Sequence, residues 1–224
     1  MTDVYSDAPY PTYRLIPSQF PPIGLFDTVA TAADLSAVME LVGWTNDRLV
    51  AGRLARLPQQ EWVYGRPNAS IVMAAFLHVS PTGMRFNSSE LGAWYAASEI
   101  ETAAAEVGHH LRREAVARNV PELTRVYRSY SARLDGVYLD IRGQQADRSD
   151  VNASDRYDAS QQFGETIRRA GEAGILYDSL RRQGGTNIVA HRPTNILDVT
   201  QTDHFEIRVP AIGRRIHVRK LTAP

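Results

Sequence analysis

Two arginines in this sequence stand among apolar and aromatic neighbours. Arg14 lies in the run YRLI, and Arg85 lies in the run MRFN. A guanidinium is costly to bury unless a carboxylate or another anion meets it, so each arginine needs such a partner. The two side chains are therefore candidates for structural ion pairs or, alternatively, for a clamp on the phosphates of a ligand.

A carboxylate, a tyrosine and a serine could add to the chemistry of such a site. Glu106 falls about 110° from the centre of the apolar stripe of a predicted helix, where the core meets solvent or a cleft. Tyr95 belongs to an aromatic pair, and Ser179 follows a predicted strand, where loop residues often line sites. Each residue also has a structural interpretation: a solvated acid, a core aromatic ring and an ordinary loop serine.

Several common catalytic arrangements are absent from the sequence. There is no cysteine, which excludes disulfides, thiolate nucleophiles and cysteine-ligated zinc. No Gly-x-Gly-x-x-Gly, Walker or His-Glu-x-x-His motif occurs either. His109 and His110 are adjacent and point in different directions on a helix, so they cannot bind one metal as an i, i+4 pair does. We therefore expect no metal site.

The overall composition argues against some classes of partner. Lys plus Arg and Asp plus Glu are each 25, so the formal net charge is zero. A neutral chain without a long block of one charge gives no argument for direct nucleic-acid binding or for an anionic membrane surface. The N-terminus lacks the basic and apolar regions of a signal peptide, and no apolar run approaches the ~18 residues of a membrane span. These features predict a soluble, cytoplasmic chain.

Helical periodicity marks the elements that must carry these residues. Apolar residues spaced three and four apart predict a helix over residues 99–118, with Ser98 as its cap. A second helix of this kind covers residues 159–170. Two further helices, predicted over residues 31–42 and 47–57, look like an inserted hairpin.

Strand-like segments make up much of the remaining sequence. Residues 71–79 form a continuous apolar run that we interpret as a buried strand, although a short buried helix has the same pattern. Residues 84–98 fit a strand–loop–strand unit, and Asp135-Gly136 predicts a hairpin within residues 123–141. Shorter strands are predicted at residues 13–16, 175–177, 187–190, 205–209 and 216–221. Without a regular β–α–β alternation, this order predicts an α+β fold, with a mixed sheet flanked by helices.

Four short motifs in a fixed order resemble the RES domain, a family named for its Arg, Glu and Ser residues. They span residues 12–192 and are Tyr13-Arg14, Arg85-Phe86-Asn87, a segment running from Tyr95-Ala96-Ala97-Ser98 to Glu106-Val107, and residues 174–181 with Ser179 at the family serine. Residues 157–161, which include Ser160, are similar to the start of a family helix. Each motif is weak alone, and their order makes the resemblance specific.

The resemblance implies a fold similar to that of ADP-ribosyltransferases and an enzyme that acts on NAD. Characterised members are bacterial toxins that deplete NAD by phosphorolysis or hydrolysis, a minority modify proteins with ADP-ribose, and an Xre-type helix-turn-helix antitoxin neutralises them. We accordingly expect an NAD phosphorylase or NAD glycohydrolase with an antitoxin partner. Inorganic phosphate is a candidate co-substrate, and no cofactor beyond NAD as substrate is expected. A protein ADP-ribosyltransferase and a non-enzymatic binding module are the alternatives.

The resemblance also suggests a catalytic set. Glu106 is expected to stabilise the positive charge that develops on the ribose as nicotinamide leaves, as a carboxylate does in glycoside hydrolysis. Arg85 and Ser179 complete this set. One of Arg14 and Arg85 could position an incoming phosphate, and Ser179 can hydrogen-bond the ligand or the carboxylate.

A second set of residues is expected to bind NAD. Arg14 and Arg85 would hold the pyrophosphate through bidentate hydrogen bonds. Tyr95 can offer its ring to nicotinamide and its hydroxyl to ribose. Asn87 and Ser160 are lower-ranked contacts.

We expect a single domain over residues 1–224. A long segment separates Arg14 from Arg85, whereas compact family members join these motifs by a short loop. Residues 31–80 are therefore interpreted as a helical insertion. The sequence leaves open a homo-oligomer and the identity of the antitoxin.

Overall fold

The structure is a computed structural model that describes residues 3–19, 24, 26–34, 52–154 and 156–222. Within these residues, nine β-strands form one mixed sheet, and three α-helices that are described over their full length lie against it. The strands are β1 (Tyr5–Asp7), β2 (Thr12–Pro17), β3 (Trp94–Ala97), β4 (Glu122–Leu134), β5 (Val137–Asp140), β6 (Gly174–Asp178), β7 (Thr186–Ala190), β8 (Ile196–Pro210) and β9 (His217–Leu221), and the helices are α1 (Ala69–Leu77), α2 (Ile100–Ala117) and α3 (Asp158–Arg169). This arrangement confirms the expected α+β class.

The strands lie in the order β1-β5-β6-β7-β3-β2-β4-β8-β9, and β5 and β6 form the parallel pair among antiparallel neighbours. Alternate residues of a strand point to opposite faces of a sheet. On β7, Ile188 packs in the core around α1, whereas Val189 packs in the core that α3 adjoins. Leu15 of β2 packs with the apolar face of α2. Helix α1 therefore covers one face, and α2 and α3 cover the other.

Several predicted elements are confirmed, but the cap predicted for α2 is wrong. Helices α2 and α3 and the three last strands form where periodicity places them. Ser98 does not cap α2: Glu99 occupies the capping position, with no capping bond from its side chain. The hydroxyl of Ser98 instead donates to the carbonyl of Thr186 at 3.4 Å, across to the start of β7.

The strand predicted at residues 71–79 is also wrong, because residues 69–77 form α1. Eight of the nine residues of α1 are buried, so the helix is apolar on all sides and has no amphipathic stripe to reveal it. Its first turn is held by Asp27, whose carboxylate accepts hydrogen bonds from the backbone N–H of Asn68 at 3.1 Å and of Ser70 at 2.7 Å. A capping residue this far away in the sequence cannot be predicted from local patterns.

The hairpin predicted around Asp135-Gly136 is wrong as well. Both strands exist, but β4 pairs with β2 and β8, and β5 pairs with β1 and β6. Gly136 has a φ of 92°, so the chain does turn there, and the turn sends β5 to the other half of the sheet.

The strand–loop–strand unit predicted over residues 84–98 forms only in part. Its second strand is β3, but Met84 makes no more than an isolated bridge with Asn87. The segment before β3 is instead an irregular stretch held by side chains.

The helices predicted over residues 31–42 and 47–57 lie mostly outside the described residues. In the described part, residues 32–34 and 52–54 are helical. Arg53 donates from Nη1 to the carbonyl of Leu77 at 2.8 Å, and Leu54 is buried in the core around α1. The described end of this segment thus packs on the sheet through α1.

The described sheet is split between β2 and β3. These strands share a single residue pair, Tyr13 with Ala97, whereas β2 pairs with β4 at six positions. Beyond that pair, β2 and β3 are joined by a side chain instead of by backbone hydrogen bonds: Arg14 donates from Nη1 to the carbonyl of Tyr95 at 2.9 Å. The sheet is therefore incompletely paired at this point, which we call the split.

Two further kinds of feature are missing from the described ranges. None of their helices combines the length and the apolarity that crossing a bilayer requires. Nor do three or more His, Cys, Asp or Glu side chains come together there as they would around a metal ion.

Candidate active site

A cavity of about 330 Å³ lies at the split between β2 and β3. This volume falls in the range of small-molecule sites. Ala75 and Val79 line it from the α1 side, and Glu106 and His109 line it from α2. A ligand in this cavity would therefore contact both layers of the fold.

Glu106 lies on α2 with its carboxylate at the wall of the cavity. Its Oε1 accepts a hydrogen bond from the hydroxyl of Ser179 at 2.7 Å and another from Nδ2 of Asn187 at 2.7 Å. The side chain is half-buried, which agrees with its position at the edge of the apolar stripe. Two donors from different elements therefore hold one carboxylate at the cavity.

Ser179 is fixed by the loop between β6 and β7. Its Oγ accepts hydrogen bonds from the backbone N–H of Arg181 and of Arg182, each at 3.1 Å, and its own N–H donates to the carbonyl of Gly185 at 2.8 Å. Arg182 also donates from Nη1 to the hydroxyl of Thr102 on α2 at 3.0 Å. The loop is thereby tied to the helix that carries Glu106.

Tyr95 lines the cavity, but its hydroxyl is committed to the protein. It donates to Oδ1 of Asn87 at 2.8 Å and accepts from the backbone N–H of Phe86 at 2.9 Å. Asn87 is fully buried, and its Nδ2 donates to the carbonyls of Ser88 and Leu91. Burial raises the pKa of Tyr95, so the hydroxyl stays protonated. The ring of Tyr95 is therefore the part that it offers to a ligand, and Asn87 acts mainly as its anchor.

Arg14 reaches the cavity without an ion pair to any described residue. Its guanidinium lies 4.9 Å from the ring centroid of Trp94, and its buried Nε finds no hydrogen-bond partner in the described ranges. Burial lowers the pKa of Arg14 to about 10, so the group remains charged at neutral pH. The cation–π contact and the bond to the Tyr95 carbonyl hold it in place.

Arg85 and Arg181 add two further cations to the lining. Arg85 donates from Nη1 to the carbonyl of Ala153 at 2.8 Å and lies 4.9 Å from the ring centroid of Tyr157. Arg181 donates from Nη2 to the carbonyl of Ser154 at 3.3 Å. Across the described residues, no carboxylate forms an ion pair with Arg14, Arg85 or Arg181. Among the described residues, therefore, Arg14 and Arg85 do not form the structural ion pairs that were one of the two sequence interpretations.

Among the described residues, the lining therefore combines three guanidinium groups with one carboxylate, that of Glu106. Such an imbalance in a partly closed cavity gives a positive potential that attracts anions. His109 does not add to it, because burial and the nearby Arg181 lower the pKa of His109 to about 4. Its imidazole is therefore neutral at pH 7 and adds no positive charge to the cavity.

Two predicted site residues, Ser179 and Ser160, are not part of the cavity lining, although Ser179 bonds to Glu106 at its wall. Ser160 is fully buried near the start of α3, and its hydroxyl donates to the carbonyl of Tyr157 at 3.0 Å. The side chain closes the first turn of the helix, and it is absent from the cavity lining.

The lining residues that sequence reasoning did not single out include Arg181, Tyr157, Tyr177 and Asn187. The first three lie inside the family motifs, where their position was a usable signal. Asn187 had a weaker signal, since it is a polar residue at the head of the apolar run IVA.

Helix α3 holds the segment that carries Arg85. Gln161 donates from Nε2 to the carbonyls of Thr82 at 2.8 Å and Met84 at 3.0 Å, and Glu165 accepts from the backbone N–H of Ser88 at 2.8 Å. Between these contacts, at Gly164, α3 lies so close to the segment that any side chain at this position would clash with it.

Gly164 is the point of closest approach, and substitution there is expected to destabilise the protein. A Cβ at this position would lie 2.1 Å from the carbonyl oxygen of Phe86, so the backbone beside Arg85 would have to move. We expect Gly164→Ala to lower the free energy of unfolding by about 1–3 kcal/mol, the usual cost of overpacking, in a urea titration. Gly52→Ala is the control, because that exposed helical glycine has nothing within 4 Å of its added Cβ. Equal stability of the two variants would contradict this close packing.

The sequence and the fold are similar to known proteins. Residues 53–210 match the family model of the RES domain. The sequence is 27% identical over 203 residues to the uncharacterized protein y4oC of Sinorhizobium fredii, covering 86% of this chain and 80% of that protein. A chain in the crystal structure of the M. tuberculosis MbcT–MbcA toxin–antitoxin complex is similar with a TM-score of 0.48 and 14% identity, covering 90% of this chain and 86% of that chain.

Proposed function

The chain belongs to the RES-domain family, and from this premise we propose that it breaks the nicotinamide–ribose bond of NAD as the toxin of a toxin–antitoxin pair. The observation that carries the proposal is the pairing of one fixed carboxylate, Glu106, with three guanidinium groups that lack ion-pair partners among the described residues. NAD has the complementary features, an anionic pyrophosphate and a sugar that becomes positive during the reaction.

Glu106 is proposed to act on the sugar. When the bond between the ribose carbon and the nicotinamide nitrogen breaks, its electron pair leaves with nicotinamide, which becomes neutral. The positive charge moves to the ribose, in a transition state like that of glycoside hydrolysis. A carboxylate already fixed beside the sugar stabilises this charge without reorganising, which makes electrostatic stabilisation effective.

The arginines are proposed to bind the pyrophosphate. Arg14 and Arg85 present planar forks that match phosphate oxygens, and Arg181 supplies a third cation. Since these groups are not neutralised by carboxylates of the described protein, a phosphate ligand would not have to displace a partner. Orientation of NAD by its pyrophosphate would bring the ribose to Glu106.

Tyr95 is proposed to contact nicotinamide through its ring. Its hydroxyl is held by Asn87 and Phe86, which fixes the plane of the ring at the cavity. The hydrogen bond from Tyr95 to ribose that the sequence suggested would require breaking this arrangement. We therefore assign Tyr95 to stacking and Asn87 to its support.

Inorganic phosphate is proposed as the acceptor of the ADP-ribosyl group. Phosphate, water and a protein side chain could each attack the sugar once nicotinamide leaves. The excess of guanidinium groups at the cavity favours an anionic acceptor over neutral water. No cofactor other than NAD itself is needed for this chemistry.

The proposed biological partner is an Xre-type antitoxin in the cytoplasm. An antitoxin that covers the mouth of the cavity would prevent NAD from entering. Addition of the purified antitoxin is expected to stop NAD consumption, and an antitoxin that binds without inhibiting would contradict occlusion of the cavity.

The products of the reaction test the choice of acceptor. Purified protein is incubated with NAD, with and without inorganic phosphate, and the products are identified by mass spectrometry. Phosphate-dependent formation of phosphorylated ADP-ribose is the expected result. Free ADP-ribose formed equally without phosphate would indicate a glycohydrolase, and ADP-ribose attached to protein would indicate a protein ADP-ribosyltransferase.

A further inference from the structure

Asn187 lies in the interior of the sheet and contacts the carboxylate of Glu106. Its side chain is almost fully buried, and its Nδ2 donates to Oε1 of Glu106 at 2.7 Å. Strand β7 is paired on both sides, so that Asn187 lies opposite Ala97 of β3 and Tyr177 of β6. The backbone that carries this amide is therefore held by hydrogen bonds to two neighbouring strands.

We propose that Asn187 is a positioning residue, which fixes the carboxylate of Glu106 for the reaction; this inference rests on the proposed function. Asn187 and Ser179 both donate to Oε1. Among the described residues none donates a hydrogen bond to Oε2 of Glu106. Committing one oxygen to the protein leaves the other oxygen for the sugar.

An amide suits this task because it donates a hydrogen bond without carrying a charge. A lysine or an arginine at this position would form an ion pair with Glu106 and offset the negative charge that the sugar needs. The amide also has no proton to exchange with the carboxylate at neutral pH. Asn187 can thus orient Glu106 while leaving its charge available to the substrate.

The two donors restrain Glu106 from different elements. Ser179 belongs to a loop, whereas Asn187 belongs to an interior strand, and groups on strands are held more precisely than groups on loops. Glutamate has several side-chain torsions, and one hydrogen bond leaves some of them free. We therefore assign the main positional restraint to Asn187.

Kinetic measurements on Asn187→Ala and Asn187→Asp test this role. Both variants lose the amide donor, and the second keeps the shape of the side chain but places a second carboxyl group against Glu106. We expect kcat for NAD consumption to fall about tenfold or more, with KM within about threefold of wild type, because a misplaced catalytic group affects the transition state more than binding. Asn195→Ala, outside the cavity lining, is the control and should keep wild-type kcat. A raised KM with unchanged kcat would overturn the proposal in favour of direct substrate binding.

A second measurement does not depend on activity. The unfolding of the wild type, Asn187→Ala, Glu106→Ala and the double variant is compared in urea, which gives the coupling between the two side chains. A hydrogen bond to a charged group predicts a coupling of about tenfold in the unfolding equilibrium constant. Additive effects would overturn the proposal, whatever the activity. If the two side chains are coupled but the protein does not consume NAD, Asn187 still supports Glu106, and the proposed function is rejected.

Discussion

Glu106→Gln is expected to lower the rate of NAD consumption by ~100-fold or more while leaving the fold nearly intact. Removing one electrostatic stabiliser of a transition state typically costs ~2.7–4 kcal/mol, which corresponds to this loss. Glutamine keeps the size of the side chain, and its carbonyl can still accept the hydrogen bonds from Ser179 and Asn187. The change therefore removes the charge and little else. Initial rates of nicotinamide release, measured at saturating NAD, provide the test.

Glu101→Gln is the matched control for this experiment. Glu101 lies on the same helix, but it is exposed and does not line the cavity. Its substitution should leave the rate unchanged. If Glu106→Gln were folded and as active as Glu101→Gln, the role assigned to Glu106 would be wrong.

Arg85→Met is expected to lower kcat/KM for NAD by at least ~30-fold. The loss of a desolvated charged partner costs about 2–5 kcal/mol, and the lower end of this range gives that factor. Methionine keeps much of the length and the apolar stem, so the packing over Tyr157 is largely retained. Arg85→Lys should lose less, because it keeps the charge and loses only the planar fork. The effect is measured from initial rates over a range of NAD concentrations.

Two controls accompany the arginine variants. Arg219→Met removes an exposed guanidinium from β9 and should leave kcat/KM unchanged. Strand β9 is at the edge of the sheet, and β4 and β8 separate it from the cavity-lining strand β2. Circular dichroism and urea unfolding check that Arg85→Met is folded, since the wild-type side chain also donates to the carbonyl of Ala153. A folded Arg85→Met with wild-type kcat/KM would show that the pyrophosphate binds elsewhere.

The sequence predicts the layout of the site better than its details. Arg14, Arg85, Tyr95 and Glu106 come together at one cavity, and Ser179 bonds to the carboxylate. Motif order could indicate this set because the motifs lie on β2, on the segment before β3, on β3 and α2, and on β6 with the loop after it, which meet at the split sheet. The partner of each side chain could not be predicted, because the donors and acceptors come from segments far away in sequence.

Asn187 illustrates this limit. It was predicted only as the first residue of a strand, and the strand does form there. Its contact with Glu106 depends on where β7 lies relative to α2, which is a consequence of the strand order rather than of local pattern. A polar residue inside an apolar strand is the signal that would have marked it.

The wrong predictions have the same origin. An apolar run of nine residues does not distinguish a buried helix from a buried strand. This run forms the helix α1, which is buried on all sides and is held at its first turn by Asp27, far away in the sequence. The turn at Asp135-Gly136 was predicted correctly as a turn, but the neighbours of β5 are chosen by long-range pairing. Local patterns thus predict elements, whereas tertiary contacts determine how they pair.

The most direct test of the central proposal is nicotinamide release from NAD by the purified protein, followed by chromatography, with Glu106→Gln alongside. We expect steady release by the wild type and a loss of ~100-fold or more in the variant. Intact NAD after prolonged incubation with folded wild-type protein and phosphate would contradict it, as would equal release by both proteins.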